Sequence, residues 1–420
     1  MGYALQYPDQ VRCLLSIFFL FTIGHATGNT IIVGKNRAIT TLKQGINAAK
    51  DGDTVLLHKG VYKEGNIIID KSIYLIGIDE PVLDGDNKNE ILTLTGKNIL
   101  IRGIHFVNAG YSSMNDYAAI KIIDATGVII ENNNISNTTF AIHVANTVHS
   151  TIRHNTIRGN NKSEHSSGNG IHLWKCENMS IVSNSIQGHR DGIYLEFVTQ
   201  STIGRNLSEK NVRYGLHFMF SNNNSYLNNI FRNNGAGVAV MYTKNVRMLN
   251  NIFENNWGSS AYGILLKDIS DSHIENNKFI QNTVGIYMEG SSRIEIINNI
   301  FKGNGWALKV QASCDDNSFH NNNFLGNSFD VATNGSKSLN KFYQNYWDKY
   351  DGYDMNKDGV GDVPYHPVSL YSMIVEQNPN TLIMLRSFIV SLLDKAERVL
   401  PSLTPEKLID SNPMMRPIKL

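Results

Sequence analysis

An all-β fold is predicted: a right-handed parallel β-helix, a solenoid of about 22-residue rungs, with an N-terminal capping helix and a C-terminal helical tail. Three observations predict it. The first is a repeat whose units open on a small residue: Ala119, Ala141, Gly170, Gly192, Gly215, Gly237, Gly263, Gly285 and Ala307. The second is alternation. The first and third residues after each opening are apolar, as in Ile142 and Val144, Ile171 and Leu173, or Ile193 and Leu195, so they face one way and their neighbours the other. The third is a column of Asn fourteen positions after each opening: Asn133, Asn155, Asn184, Asn206, Asn229, Asn251, Asn277 and Asn299. Stacked at about 4.8 Å per rung, these side chains are expected to form an inward amide ladder.

The elements follow in order. Residues 1–26 read as a secretory signal peptide, with Arg12 before the apolar run Cys13 to Ile23 and the small stretch Gly24-His25-Ala26. A membrane anchor is the alternative, although the run is short for a span. Residues 27–118 are expected to hold a cap and early rungs. There Ile39, Leu42, Ile46 and Ala49 fall at helical spacing, and a helix at this point covers the open end of the solenoid. Residues 119–345 carry the regular repeats. The polar insertion between Asn160 and Asn169 is expected to loop outward, and Asn321, Asn322, Asn323 and Phe324 look like a final rung one residue out of register. Residues 346–376 form an Asp-rich loop region. Residues 377–420 form the tail, with Leu382, Leu385, Ile389, Leu392, Leu393 and Ala396 on one helical face.

Composition narrows the function classes. A net charge of +1 with 18% charged residues leaves no broad basic footprint for nucleic acid. Beyond the signal segment only Cys176 and Cys314 remain. They lie about 29 Å apart by rung stacking, beyond disulfide reach. Both read as buried thiols.

Chemistry-bearing residues gather on the outward column. The second position after the openings holds His143, His172, Tyr194 and His217, and the fourth holds Trp174, Glu196, Met219 and Met241. His217, Met219, Met241 and Glu196 are expected to converge on one solvent-facing patch, with His172 two rungs away as an outer member. Imidazole with thioether is soft ligation and favours Cu(I) over hard cations. A docking surface for a partner protein is the other reading of the same patch. A second constellation, Asp354, Asn356, Asp358 and Asp362 around Gly359, matches the first half of a calcium loop. Tyr365 stands where the last acidic ligand is expected.

Several stretches resemble the NosD family of periplasmic proteins: GIYLEF from Gly192, RYGLHFMFSN from Arg213, GVAVMYT from Gly237, NGWALKVQASC from Asn304 and DGVGDVPYHPVSLYSMIVE from Asp358. The resemblance implies a periplasmic, exported, non-enzymatic accessory protein for maturation of nitrous oxide reductase. It implies work with an ABC-type ATPase and permease pair, membrane contact through the permease, a separate copper chaperone upstream, and copper supply to the reductase's copper–sulfide centre. The copper residues named above rest on geometry and not on the resemblance. The rival expectation is a polysaccharide lyase, hydrolase or epimerase. Such chemistry needs an acid/base set on one face, and Arg190, Asp191, Glu196 and Arg213 fall near one another in rung register.

Overall fold

The computed structural model describes residues 28–112, 114–160, 168–335, 339–385, 387–399 and 408–420. The signal-peptide expectation and most of the 160–169 insertion lie outside the described residues. Each turn of chain contributes one strand to each of three parallel sheets. Sheet I has 14 strands, from Thr30–Val33 to Lys341–Tyr343. Sheet II has 12, from Ile67–Ile69 to Phe329–Ala332, and sheet III has 13, from Val61–Tyr62 to Tyr346–Trp347. This is the parallel β-helix that the repeat predicts. It starts well before the strict repeat does, so the segment ahead of Ala119 is rungs for most of its length.

The opening residues lie at the start of the sheet II strands, where the wall turns tightly past the next rung. A Cβ on Gly237 would stand 2.4 Å from the carbonyl oxygen of Gly263, so a side chain has no room there. The apolar positions point inward as expected. Ile142, Val144, Ile171, Leu173, Ile193 and Leu195 are fully buried.

The Asn column is an inward ladder. Each Asn takes the next residue's Oδ1 through its own backbone N–H and its Nδ2, as Asn206 does with Asn229 at 2.9 and 3.0 Å. Asn299 continues to Asn322 and Asn322 to Asn345, so the ladder position in this rung falls one residue later than in the others, as expected, while the ladder itself runs on unbroken. A second ladder escaped the sequence reading. It runs Asn211, Asn234, Asn256, Asn282, Asn304, Asn327 at another corner. Beside these ladders a column of stacked rings fills the core: Phe231, Phe253, Phe279, Phe301, Phe324 and Trp347, with neighbouring centroids 5.5 to 4.0 Å apart.

Both ends are closed. Helix α1 (Leu42–Ala48) covers the first rungs with Leu42 and Ile46 buried. The Glu64 carboxylate accepts from the free N–H groups of Leu42 (2.7 Å) and Lys43 (2.9 Å), satisfying donors that a helix start leaves open. At the far end the expected single helical tail is two helices and a return. Helix α2 (Leu370–Gln377) packs Tyr371 and Val375 against Trp306 and Phe329 on the outer face of sheet II. A 3-10 turn (Pro379–Met384) separates it from α3 (Phe388–Val399). Pro379 opens that turn, and the residue before a proline is biased away from helix, so α2 ends at Gln377. The expected face is divided between the 3-10 turn and α3, and Leu382, Ile389 and Leu392 are exposed. The last segment comes back to the solenoid. Asp410 Oδ2 accepts from Asn345 N (3.0 Å), Asn345 Nδ2 (3.0 Å) and Trp347 Nε1 (2.9 Å). It terminates both the first Asn ladder and the ring column.

Candidate functional site

The outer face of sheet II carries the predicted column. Strand register pairs His143 with His172, His172 with Tyr194, and Tyr194 with His217. The rings form a continuous stack, with centroid separations of 4.8, 4.8 and 4.9 Å. One column over, Trp174 pairs with Glu196, Glu196 with Met219, and Met219 with Met241. His217, Met219, Met241 and Glu196 therefore share one patch, and Ala239, small, lies beside His217.

One part of the expectation needs correction. The patch is not simply solvent-facing: His217 is only 2% exposed, although Met219, Met241 and Glu196 are half-buried. His172 lies two rungs away, as expected. The Tyr194 ring stands between His172 and His217, which puts them about 10 Å apart. One ion cannot reach both.

The buried imidazoles are short of partners. Both ring nitrogens of His217 and both of His172 are shut from solvent without a hydrogen bond, as are His143 Nδ1 and Asp191 Oδ2. An unmade bond at a buried polar atom costs about 1–3 kcal/mol, so a run of them in adjacent rungs marks a site rather than a packed wall. Two carboxylates orient two of the rings. Asp191 Oδ2 lies 3.5 Å from His217 Nδ1, and Asp116 Oδ2 lies 3.7 Å from His143 Nε2. Neither is close or aligned enough to be a hydrogen bond, but each favours an N–H on the facing nitrogen. His217 Nε2 and His143 Nδ1 are then left as lone-pair donors, the arrangement in which metal-binding histidines are usually held. Burial pushes His143 below the ordinary imidazole range and His172 down to about 3, with His143 and Arg190 adding to the second shift. These rings are neutral near pH 7, as ligands must be. Tyr194 Oη donates to the Met219 sulfur at 3.5 Å, and burial, with Glu196 nearby, pushes its hydroxyl up to about 12.

Sequence reasoning missed Asp191 and Asp116 as orienting groups. Asp191 had a signal: it immediately precedes an opening residue, where other rungs carry Asn169, Tyr214, Ala236, Tyr262 or Val284. It is fully buried, with Arg190 Nε 3.7 Å away and its Oδ1 taking the Tyr214 N–H at 3.2 Å. Also missed was an exposed stack, Phe197, Phe220 and Tyr242, with centroids 5.3 and 5.1 Å apart. Each directly follows Glu196, Met219 or Met241 and holds a φ of 55°, 50° or 53°. The same corner is left-handed in other rungs, at Asp124, Asn146, Lys175 and Asp268, so the conformation belongs to the turn of the solenoid.

In the acidic loop the side chains bond the turn's own backbone. Asp354 accepts from the backbone of Lys357 (2.6 Å), Asp358 (3.2 Å) and Gly359 (2.9 Å). Asp358 accepts from Val360 N (2.8 Å) and Asn356 Nδ2 (3.0 Å), and Asp362 from Met355 N (2.7 Å). The carboxylates are spent on the turn's own N–H groups. Among the described residues no three His, Cys, Asp or Glu side chains gather to hold a metal ion, so the calcium expectation gains no support. Cys176 and Cys314 are buried free thiols, both pushed up by burial.

Comparison with known proteins adds to this geometry. A family model described as periplasmic copper-binding protein (NosD) matches residues 153–356, the stretch that holds His172, Glu196, His217, Met219 and Met241. A Pseudomonas aeruginosa protein named "Probable ABC transporter binding protein NosD" is 28% identical over 92% of this chain and 94% of its own length. A Stutzerimonas stutzeri protein of the same name is 28% identical over 26% of each chain. Among solved structures, the Yersinia enterocolitica family 28 exopolygalacturonase superposes with a TM-score of 0.52 at 10% identity, over 76% of this chain and 78% of that one. At that identity the likeness is one of fold. The family match across the site and the near full-length relative agree, and over its length the chain is similar to the NosD family.

Proposed function

We propose that this chain is a periplasmic accessory protein that carries copper toward nitrous oxide reductase while docked on an ABC-type permease and ATPase pair, receiving the metal from a separate copper chaperone. The observation that carries the reading is the buried His217, oriented through Nδ1 by Asp191 and left with an unpartnered Nε2, beside the register-paired thioethers of Met219 and Met241. Imidazole with thioether suits Cu(I). Copper is here the cargo. His217, Met219 and Met241 would bind it, with Glu196 at the edge of the patch and His172 outside the first group. A half-buried site on rigid strands holds its ligands in place while leaving a path for release. The family's description and the relatives' names support copper and a transporter partner. Assembly of the copper–sulfide centre is the end use we assign to that copper. Among the described residues no helix is long and apolar enough to cross a membrane, which is consistent with contact through the permease.

The test is co-purification. The tagged chain, extracted from membranes of cells respiring nitrous oxide, is expected to bring down a permease and an ATPase in fixed ratio. Recovery free of any transporter subunit, together with turnover of uronic-acid polymers by the purified chain, would replace this reading with the polysaccharide one.

A further inference from the structure

Tyr194 borders the copper patch without belonging to the binding set. It is the register partner of His217, and Glu196, on the same strand, is the partner of Met219. The Tyr194 ring is wedged between the rings of His172 and His217, with centroids 4.8 and 4.9 Å away. From that wedge its hydroxyl reaches across to the sulfur column and donates to Met219 Sδ at 3.5 Å. Burial pushes the phenol up to about 12, with the Glu196 carboxylate adding to the shift. At neutral pH the group keeps its proton, so it serves as a hydrogen-bond donor and not as a metal ligand.

We propose that Tyr194 is a positioning residue that weakens the hold of Met219 on Cu(I) and so keeps the copper exchangeable. This role rests on the copper reading above and supplies what that reading leaves open, how a site on a rigid wall lets its cargo go. A thioether sulfur is uncharged and carries two lone pairs. The Tyr194 hydroxyl takes one and leaves the other for the ion, which fixes the side from which copper can approach. The same hydrogen bond draws electron density away from the sulfur. Partners outside the ligand set tune metal sites: an acceptor behind a ligand raises its basicity, and a donor on the ligating atom does the reverse. The ring matters as much as the hydroxyl. Held between two imidazoles, it cannot follow the sulfur, so the hydroxyl keeps its place when copper arrives. A phenylalanine would fill the same wedge, and only the hydroxyl gives this position a hold on the sulfur.

The experiment is an anaerobic titration of the purified whole chain with Cu(I) against a chromophoric chelator, with X-ray absorption at the copper edge, on the wild type and on Tyr194→Phe. Phenylalanine keeps the ring between His172 and His217, and thermal melting of the metal-free variant establishes that it is folded. Tyr194→Phe is expected to bind Cu(I) about threefold to tenfold more tightly, the worth of one neutral hydrogen bond. It is expected to release copper to the chelator more slowly by a similar factor and to show a shorter copper–sulfur distance. An affinity that is unchanged or lowered in Tyr194→Phe overturns the role and leaves the copper site standing. Tighter binding with the copper–sulfur distance unchanged also overturns it, because the gain would then come from the ring stack and not from the sulfur. No Cu(I) uptake by the wild-type chain removes the copper reading itself, and this role with it.

Discussion

Replacing Asn229 by Leu tests whether the amide ladder holds the solenoid together. Asn229 is fully buried. Its Oδ1 accepts from Asn206 N at 2.9 Å and Asn206 Nδ2 at 3.0 Å. Its Nδ2 donates to Ile203 O at 2.9 Å and to Asn251 Oδ1 at 3.0 Å. Leucine has the same branching but is bulkier, so overpacking adds to the lost hydrogen bonds. Asn251 Oδ1 keeps one partner, the backbone N–H of residue 229, at 2.9 Å. The Asn206 backbone N–H is left without a partner, and Asn206 Nδ2 loses one of its two bonds, keeping Ile181 O at 2.8 Å. The loss is then about 1–3 kcal/mol for the orphaned group. Urea denaturation followed by circular dichroism measures it. Amide hydrogen exchange locates it, because in a solenoid each rung is coupled mainly to its neighbours. Faster exchange is expected first at residues 206 and 229. A loss below about 1 kcal/mol, under the range for even one orphaned donor, would refute the idea that the ladder stabilises the wall.

Asp410→Ala is expected to fray the C-terminal end, because Asn345 and Trp347 lose the carboxylate oxygen that ends their columns; limited proteolysis should then cut near residue 345 while the middle rungs stay protected. Stability is expected to fall as pH drops below about 6.5, because buried His189 is held down to about 4 by burial, against the opposing pull of its contact with Thr139 O. The unfolded chain binds the proton first, near the ordinary imidazole value, so the stabilisation is complete above about pH 6.5 and is lost as pH falls toward about 4, reaching about 2 kcal/mol at pH 5. Melting curves at pH 7 and pH 5 check this. A pH dependence unchanged in His189→Asn would contradict it.

The fold was legible because solenoid periodicity is written directly into residue spacing. Small openings, alternating apolar residues and the Asn column each report one geometric demand of the rung. The second Asn ladder was harder to see, since Asn211, Asn234 and Asn256 sit among other Asn residues at outward corners with left-handed backbone, such as Asn233 and Asn255. The ends were legible only in part. The N-terminal cap announces itself by helical spacing, whereas the return of Asp410 depends on contact with Asn345, far away in sequence. At the site, register placed His217, Met219 and Met241 together correctly. Register alone could not say that the column is buried, that Tyr194 divides it, or that Asp116 and Asp191 reach in from neighbouring turns. At the acidic loop spacing leaves two readings: that of Asp354, Asn356 and Asp358 suits a calcium loop, and it also suits a turn that caps its own N–H groups.

The measurement closest to the central claim is the copper content of nitrous oxide reductase purified from cells whose only copy of this chain carries His217→Ala and Met219→Ala. The variant should be exported and should remain bound to the transporter, as shown by co-purification from the same cells. The account predicts reductase depleted of its copper–sulfide centre under those conditions, as in cells lacking the chain altogether. Reductase with a full centre would contradict it and would leave the His217 patch without a part in copper delivery.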